Sequence, residues 1–256
     1  MSVFAGKHWV VTGGGSGMGL ASARLLHGLG AAVALWDLSP AVKERAAEVG
    51  GLGVVADVTV PESVEAATRE TLSAFGKLDG VLHAAGVMKT GLVEALDGGA
   101  QARVIQVNLA GTAVVAHAVV PHLKRTRGSL VLFGSVSAFH GTPEFAAYAA
   151  SKAGVLSFAQ ALRVELEGAG VHVGVFCPHF VETPMIAGEN RGARFVNRRS
   201  VFVTRHEPDA MARAVVRGIE ARRFLIVPTW RERLIYAISR YGAFLAHGLM
   251  KRSWRA

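Results

Sequence analysis

Between a short β-branched run, His8 to Thr12, and a helical pattern that begins near Gly17 stands Thr12-Gly-Gly-Gly-Ser-Gly-Met-Gly19. No other stretch restricts the fold of this chain as strongly. Gly13 permits a tight turn after the strand, Gly17 lets backbone approach a pyrophosphate, and Gly19 lets the helix sit close to a sheet. Ser16 and Met18 complete the loop at the helix N-terminus, where unpaired N–H groups and partial positive charge suit a phosphate. A glycine cluster alone is also what a flexible turn looks like. Here a strand precedes it, a helix follows it, and an acid, Asp37, ends the next strand-like run, Val-Ala-Leu-Trp-Asp37. A carboxylate there accepts hydrogen bonds from adenosine ribose hydroxyls and repels a 2′-phosphate, so NAD is favoured over NADP.

The remaining chain repeats this alternation. Strand candidates are His8–Thr12, Ala31–Trp36, Gly53–Ala56, Gly80–Ala84, Ser129–Phe133, Val171–Phe176 and Arg223–Val227. Several are almost wholly apolar, as strands covered on both faces are. Helical patterns lie near Gly17–Leu29, Glu62–Phe75, Gly99–Leu123, Phe145–Gly168, Pro208–Glu220 and Trp230–Lys251. The fold class predicted is α/β: one doubly wound, Rossmann-type parallel sheet of about seven strands with helices on both faces. No repeat or linker divides residues 1–256, so a single dinucleotide-binding domain is expected, with a flexible substrate flap at about 179–207. Asp57 and Val58, after the third strand, are placed to approach an adenine edge; Asp57 also reads as a helix-flanking acid.

Chemistry concentrates between Gly128 and Gly154. Tyr148 and Lys152 are four residues apart in a helical pattern, so they share a face. A phenol of ordinary pKa, about 10, is a poor base at neutral pH. A nearby ammonium and an oxidised nicotinamide favour the phenolate. Ser135, following a strand, can hydrogen-bond a substrate hydroxyl or carbonyl oxygen.

On these residues the chain resembles the short-chain dehydrogenase/reductase family over nearly its whole length. The matching elements are Thr12-Gly13-xxx-Gly17-x-Gly19, Asn108 in Val-Asn-Leu-Ala-Gly111, Ser135, Tyr148-Ala-Ala-Ser-Lys152, and Pro178 with Thr183. The resemblance implies that Tyr148 is the acid/base and that Lys152 holds the nicotinamide ribose and lowers the tyrosine pKa. Ser135 orients the substrate oxygen, Asn108 holds a water in a proton relay, and Thr183 contacts the nicotinamide carboxamide or a phosphate. Ala85 and Gly86 belong to the family's Asn-Ala-Ala-Gly, which here reads His83-Ala84-Ala85-Gly86. Two further departures are His179 in place of the glycine after Pro178, and Gly134 where a second serine often stands. No metal is implied. The activity implied is interconversion of a secondary alcohol and a ketone. The rivals are a carbonyl reductase working mainly towards alcohol and a non-catalytic dinucleotide-binding regulator.

Phe139, Phe145, Phe180, Met185 and Ile186 suggest an apolar substrate pocket of sterol, lipid or hydroxyacyl type, or else the packing of the flap on the body. Arg191, Arg194, Arg198, Arg199 and Arg205 in the flap suit a distant carboxylate or phosphate, or a solvated loop. Lys plus Arg exceed Asp plus Glu by 28 to 19, a formal charge of +9, but the basic residues are dispersed and no nucleic-acid motif accompanies them. The single cysteine, Cys177, fits a reducing compartment, and the N-terminus has no signal region, so a soluble cytoplasmic protein is expected. By family likeness, a homodimer or homotetramer would pair through Gly99–Leu123 and Phe145–Gly168. Near the C-terminus, Trp230, Leu234, Ile238, Tyr241, Leu245 and Leu249 form an apolar stripe, with Arg233, Arg240 and Lys251 on the opposite side. Packing on the body or a partner subunit is the favoured reading of this helix. Peripheral membrane contact is the alternative.

Overall fold

Seven strands pair in parallel in the order β3-β2-β1-β4-β5-β6-β9. They are β1 His8–Thr12, β2 Ala32–Asp37, β3 Leu52–Val55, β4 Gly80–His83, β5 Ser129–Phe133, β6 His172–Phe176 and β9 Leu225–Ile226. A two-residue pair, β7 Phe180–Val181 and β8 Arg205–His206, stands apart from the sheet. The helices are α1 Gly17–Gly28, α2 Val42–Val49, α3 Pro61–Phe75, α4 Gly98–Ile105, α5 Gly111–Thr126, α6 Ala146–Glu167, α7 Pro208–Glu220, α8 Trp230–Tyr241 and α9 Ala243–Arg255. This computed structural model describes residues 2–186 and 205–255.

Alternate side chains of the strands feed separate cores on the two faces of the sheet. Val10, Val81, Leu130, Leu132, Val173 and Val175 pack with helix residues such as Val115, Val119, Val155 and Leu162. Val11, Val33, Leu35, Leu82, Val131 and Phe133 point the other way, towards Leu26, Val42, Ala46, Met211 and Val215. The doubly wound architecture follows from this double burial. The helical run Gly98–Thr126 is long and apolar enough to cross a membrane by composition. Its Val107, Val115, Val119 and Leu123 are instead buried in the first core.

Several elements differ from the sequence expectation. Helix α2 has only eight residues, and its inward Val42, Ala46 and Val49 span too few turns to stand out as a period. The expected helix Gly99–Leu123 is interrupted by a π-helical turn, Gln106–Ala110, which carries Asn108. The expected C-terminal helix Trp230–Lys251 breaks at Gly242 into α8 and α9. Of its predicted stripe, Trp230, Leu234, Tyr241 and Leu245 are exposed and Ile238 is half-buried, whereas Glu232 and Ile235, outside the stripe, are buried; the Leu249 side chain lies outside those described. The buried carboxylate decides which face turns inward. Glu232 Oε2 accepts from the Thr229 amide (2.9 Å) and Thr229 hydroxyl (3.0 Å), forming a capping box, while Oε1 accepts from the His179 amide (3.0 Å). His206 Nε2 lies 2.8 Å from the same Oε1. One carboxylate thus joins the start of α8 to both ends of the flap, whose residues 187–204 lie outside those described.

Candidate active site

Strand order reverses between β1 and β4, which opens a crevice at the C-terminal ends of the strands. Gly13, Ser16, Gly17, Met18 and Gly19 line one cleft there, together with Asp37, Asp57, Val58, Ala85, Gly86 and Thr183. The loop conformation needs its glycines. Gly13 has φ +63°, and a Cβ on it would lie 2.8 Å from the Ala85 nitrogen. A Cβ on Gly19 would fall onto the Gly13 carbonyl oxygen. Ser16 caps α1 with no side-chain hydrogen bond, and no acid stands in the first turn, so the amides at this helix end keep their affinity for an anion. The cradle fits a dinucleotide pyrophosphate.

Asp37 ends β2, as expected. Its Oδ2 accepts from the Gly15 amide (3.0 Å) and its Oδ1 from the Ser39 amide (3.0 Å). Each oxygen therefore retains acceptor capacity for a ribose hydroxyl. Asp57 is engaged locally: Oδ1 accepts from the Thr59 amide (2.8 Å) and hydroxyl (2.7 Å), and Arg103 stands 3.8 Å from Oδ2. The Thr59 hydroxyl bond holds its carboxyl below the usual range. The turn-forming role of Asp57 is thus realised alongside its place at the cleft. Arg103, Trp36 and Leu38 also line this end and did not stand out in the sequence, since isolated residues on separate elements make no pattern.

A second cavity adjoins the first, and both are lined by Met18, Ala84, Gly86, Thr183 and Met185. Ser135, Tyr148, Lys152 and Pro178 line this one. Ser135 caps a 3-10 turn, Val136–Ala138, and its Oγ accepts from the Ser137 amide (3.1 Å). One turn apart on α6, the Lys152 Nζ sits 5.8 Å from the Tyr148 ring centroid and donates to the Phe133 carbonyl (2.7 Å). Burial pushes the Tyr148 phenol up to about 12, against the pull of a hydrogen bond with Ser135. Burial likewise pushes the Lys152 ammonium down to about 8. For the phenol, desolvation outweighs the hydrogen bond with Ser135.

Asn108 is buried beside Gly86. Its Oδ1 accepts from the Val87 amide (2.8 Å), and its Nδ2 donates to the Val87 carbonyl (2.9 Å) and Ser151 Oγ (3.0 Å). The side chain thus clasps the loop after β4 to α6. His83 is buried and neutral; its pKa is pushed down to about 3 by burial and by the Lys152 charge. At Gly134, a Cβ would lie 2.8 Å from the Cys177 Sγ and 2.9 Å from a Val175 methyl, which explains why no second serine stands there. The His179 imidazole accepts from the Phe180 amide through Nδ1 (2.9 Å), so it is held in the flap base.

The pocket beyond Tyr148 is mainly apolar. Phe145, Phe180, Met185 and Ile186 line it as expected, whereas Phe139 packs against Tyr236 instead, with ring centroids 4.8 Å apart. Of the flap arginines, Arg205 pairs with Glu182 at 2.9 Å; Arg191, Arg194, Arg198 and Arg199 lie outside the described residues. The sequence reading missed the pocket wall supplied by α8 and α9: Ile235, Ile238, Ser239, Ala246 and Met250. Ile238 belongs to the stripe read from the sequence, whereas Ile235, the buried residue of this wall, falls outside it.

A family model described as short chain dehydrogenase matches residues 7–193. The 2-dehydro-3-deoxy-L-rhamnonate dehydrogenase (NAD(+)) of Sphingomonas sp. (strain SKA58) is 39% identical over 194 residues, 73% of this chain and 78% of that protein. The 11-beta-hydroxysteroid dehydrogenase A of Sesamum indicum is 31% identical over 242 residues, 88% of this chain and 69% of that protein. Among solved structures, a short chain dehydrogenase/reductase from Burkholderia phymatum in complex with NAD superposes with a TM-score of 0.82 at 27% identity, covering 94% of each chain. The chain belongs to the short-chain dehydrogenase family.

Proposed function

We propose that this chain is an NAD(H)-dependent oxidoreductase that interconverts a secondary alcohol and a ketone on a largely apolar substrate of sterol, lipid or hydroxyacyl type. The observation that carries this is the junction of the two cavities. Ser135, Tyr148 and Lys152 face the apolar pocket, which meets the glycine-lined cleft at Met18, Gly86 and Thr183. NAD, when bound, supplies the hydride acceptor or donor at its nicotinamide C4. Gly13, Gly17 and Gly19 admit the pyrophosphate, and Asp37 accepts from the ribose hydroxyls. The Ser135 hydroxyl orients the substrate oxygen. As the phenolate, Tyr148 takes the proton from that oxygen in alcohol oxidation and becomes the phenol; in ketone reduction the phenol gives that proton to the oxygen and becomes the phenolate. Lys152 keeps a positive charge beside the phenolate that this leaves.

The NAD named with two of the relatives supports the choice of cofactor, and the hydroxysteroid named with the sesame protein fits the apolar lining. We place the protein in the cytoplasm, as a dimer or tetramer joined through the outer faces of α4, α5 and α6. The direction of the reaction follows the cellular ratio of oxidised to reduced cofactor. The test is NAD reduction with a panel of sterols, long-chain secondary alcohols and hydroxyacyl compounds. Turnover that rises with apolar bulk is expected. NADH binding without hydride exchange on any of them would instead indicate a dinucleotide-binding regulator.

A further inference from the structure

The C-terminal helices have two apolar faces, and only one of them is covered. Trp230, Leu234 and Tyr241 fall at i, i+4 and i+11 on α8, so they share one face. Trp230 is 69% exposed and Tyr241 83%. Beyond the break at Gly242, Phe244 is 98% exposed and Leu245 58%. Surface side chains of this size usually occur singly; here five are exposed within sixteen residues of one helical pair. The exposed formally charged residues described on these two helices are of one sign. Arg231, Arg233, Arg240, Lys251 and Arg252 are all exposed, while the one acid between residues 230 and 255, Glu232, is wholly buried. Arg231 lies over the Trp230 ring, 5.5 Å from its centroid.

We infer that the outer face of α8 and α9 docks on an anionic lipid bilayer and brings the substrate pocket against the membrane surface. A second copy of the chain is the rival occupant. A two-fold pairing of this face would set arginine against arginine with no exposed acid on either helix to compensate. Headgroup phosphates meet both properties of the face, since aromatic and aliphatic side chains enter the interface while the cations remain among the phosphates. The inner face gives the docking a consequence. Ile235, Ile238, Ser239, Ala246 and Met250 line the pocket that Tyr148 also lines. The two helices therefore separate a bilayer on one side from the reacting groups on the other. His140 Nδ1 lies 3.0 Å from the Ser239 hydroxyl and ties this wall to the turn after Ser135. A lipid-dissolved alcohol then reaches the pocket without crossing bulk water. That last step rests on the reaction proposed above; the docking does not.

The test is flotation of the full chain with phosphatidylcholine vesicles, with and without phosphatidylglycerol, at low and high salt. Binding only to the anionic vesicles, weakened by salt, is expected. Trp230→Ser combined with Phe244→Ser touches neither cavity, and it should abolish binding while leaving NADH affinity and the melting temperature as in wild type. Arg231→Gln with Arg240→Gln keeps the apolar face and should lower partitioning by on the order of tenfold or more. Wild type should also oxidise a long-chain secondary alcohol faster when it is offered in anionic vesicles, an advantage the Trp230/Phe244 variant loses. Wild type that stays in the soluble fraction with anionic vesicles overturns the inference. So does a Trp230/Phe244 variant that binds vesicles normally but halves in mass by light scattering, because a second copy would then cover the face. Vesicle binding without oxidation of any alcohol would remove the proposed reaction and keep the docking surface.

Discussion

Thr12 and His83 stand opposite each other in the register of β1 and β4, where the strand order reverses, and His83 Nδ1 lies 2.8 Å from the Thr12 hydroxyl. That hydroxyl also accepts from the Ala85 amide (3.1 Å), so one oxygen engages both the imidazole and the loop after β4. The pair fastens the loop bearing Ala85 and Gly86 to the end of the first strand. The family's asparagine has been replaced by a group that stays neutral in the fold, with a pKa of about 3.

The replacement has a cost in acid. An unfolded histidine takes up a proton as pH falls through about 6.5, and folded His83 does not until about 3. Its contribution is therefore present above the unfolded value and is lost as pH drops between the two. The slope is about 1.4 kcal/mol per pH unit. Urea unfolding at pH 6, 5 and 4 should show wild type losing stability more steeply than His83→Asn by up to this amount. Equal slopes would contradict a buried neutral His83.

Gly134 makes room for Cys177. Gly134→Ser restores the residue common in the family and places a Cβ 2.8 Å from the Cys177 Sγ. Overpacking of this kind costs about 1–3 kcal/mol. Cys177→Ala in the same chain should recover part of that loss, the Val175 contact at 2.9 Å accounting for the remainder. A Gly134→Ser protein with the wild-type urea midpoint would show that the strand ends separate freely.

Asp37 is the residue to which we assign the cofactor choice, and the exposed Leu38 beside it lines the same cleft. Asp37→Ser with Leu38→Arg removes the charge that opposes a 2′-phosphate and adds one that attracts it. The ratio of kcat/KM for NAD over NADP should fall by about tenfold or more, since each 1.4 kcal/mol of lost discrimination is a factor of ten. Preference of wild type for NADP would contradict the role given to this carboxylate.

The parts of the site that were legible are those whose chemistry is local. Gly13, Gly17 and Gly19 declare a backbone conformation, and the one-turn interval from Tyr148 to Lys152 declares a shared helix face. Three elements were less legible, each for a physical reason. The Phe180–Val181 and Arg205–His206 pairing has too few residues to show alternation. The π-helical turn around Asn108 adds a residue to a helix without changing its composition. On α8, amphipathicity shows two apolar faces but not which one is buried. That depends on Glu232, whose partners His179 and His206 come from distant points in the chain.

The most direct measurement is the rate of NAD reduction by Tyr148→Phe beside its NADH affinity. Burial holds the phenol up at about 12, so at neutral pH it keeps its proton, the form that serves ketone reduction, and the phenolate that alcohol oxidation needs forms as pH rises. Oxidation by wild type should accordingly quicken as pH rises from neutral to alkaline. Removal of a positioned acid/base costs about a hundredfold or more. Tyr148→Phe should therefore bind NADH as wild type does and oxidise the best alcohol of the panel at least about a hundredfold more slowly. A variant that turns over that alcohol at the wild-type rate would contradict the assignment of Tyr148 and the mechanism built on it.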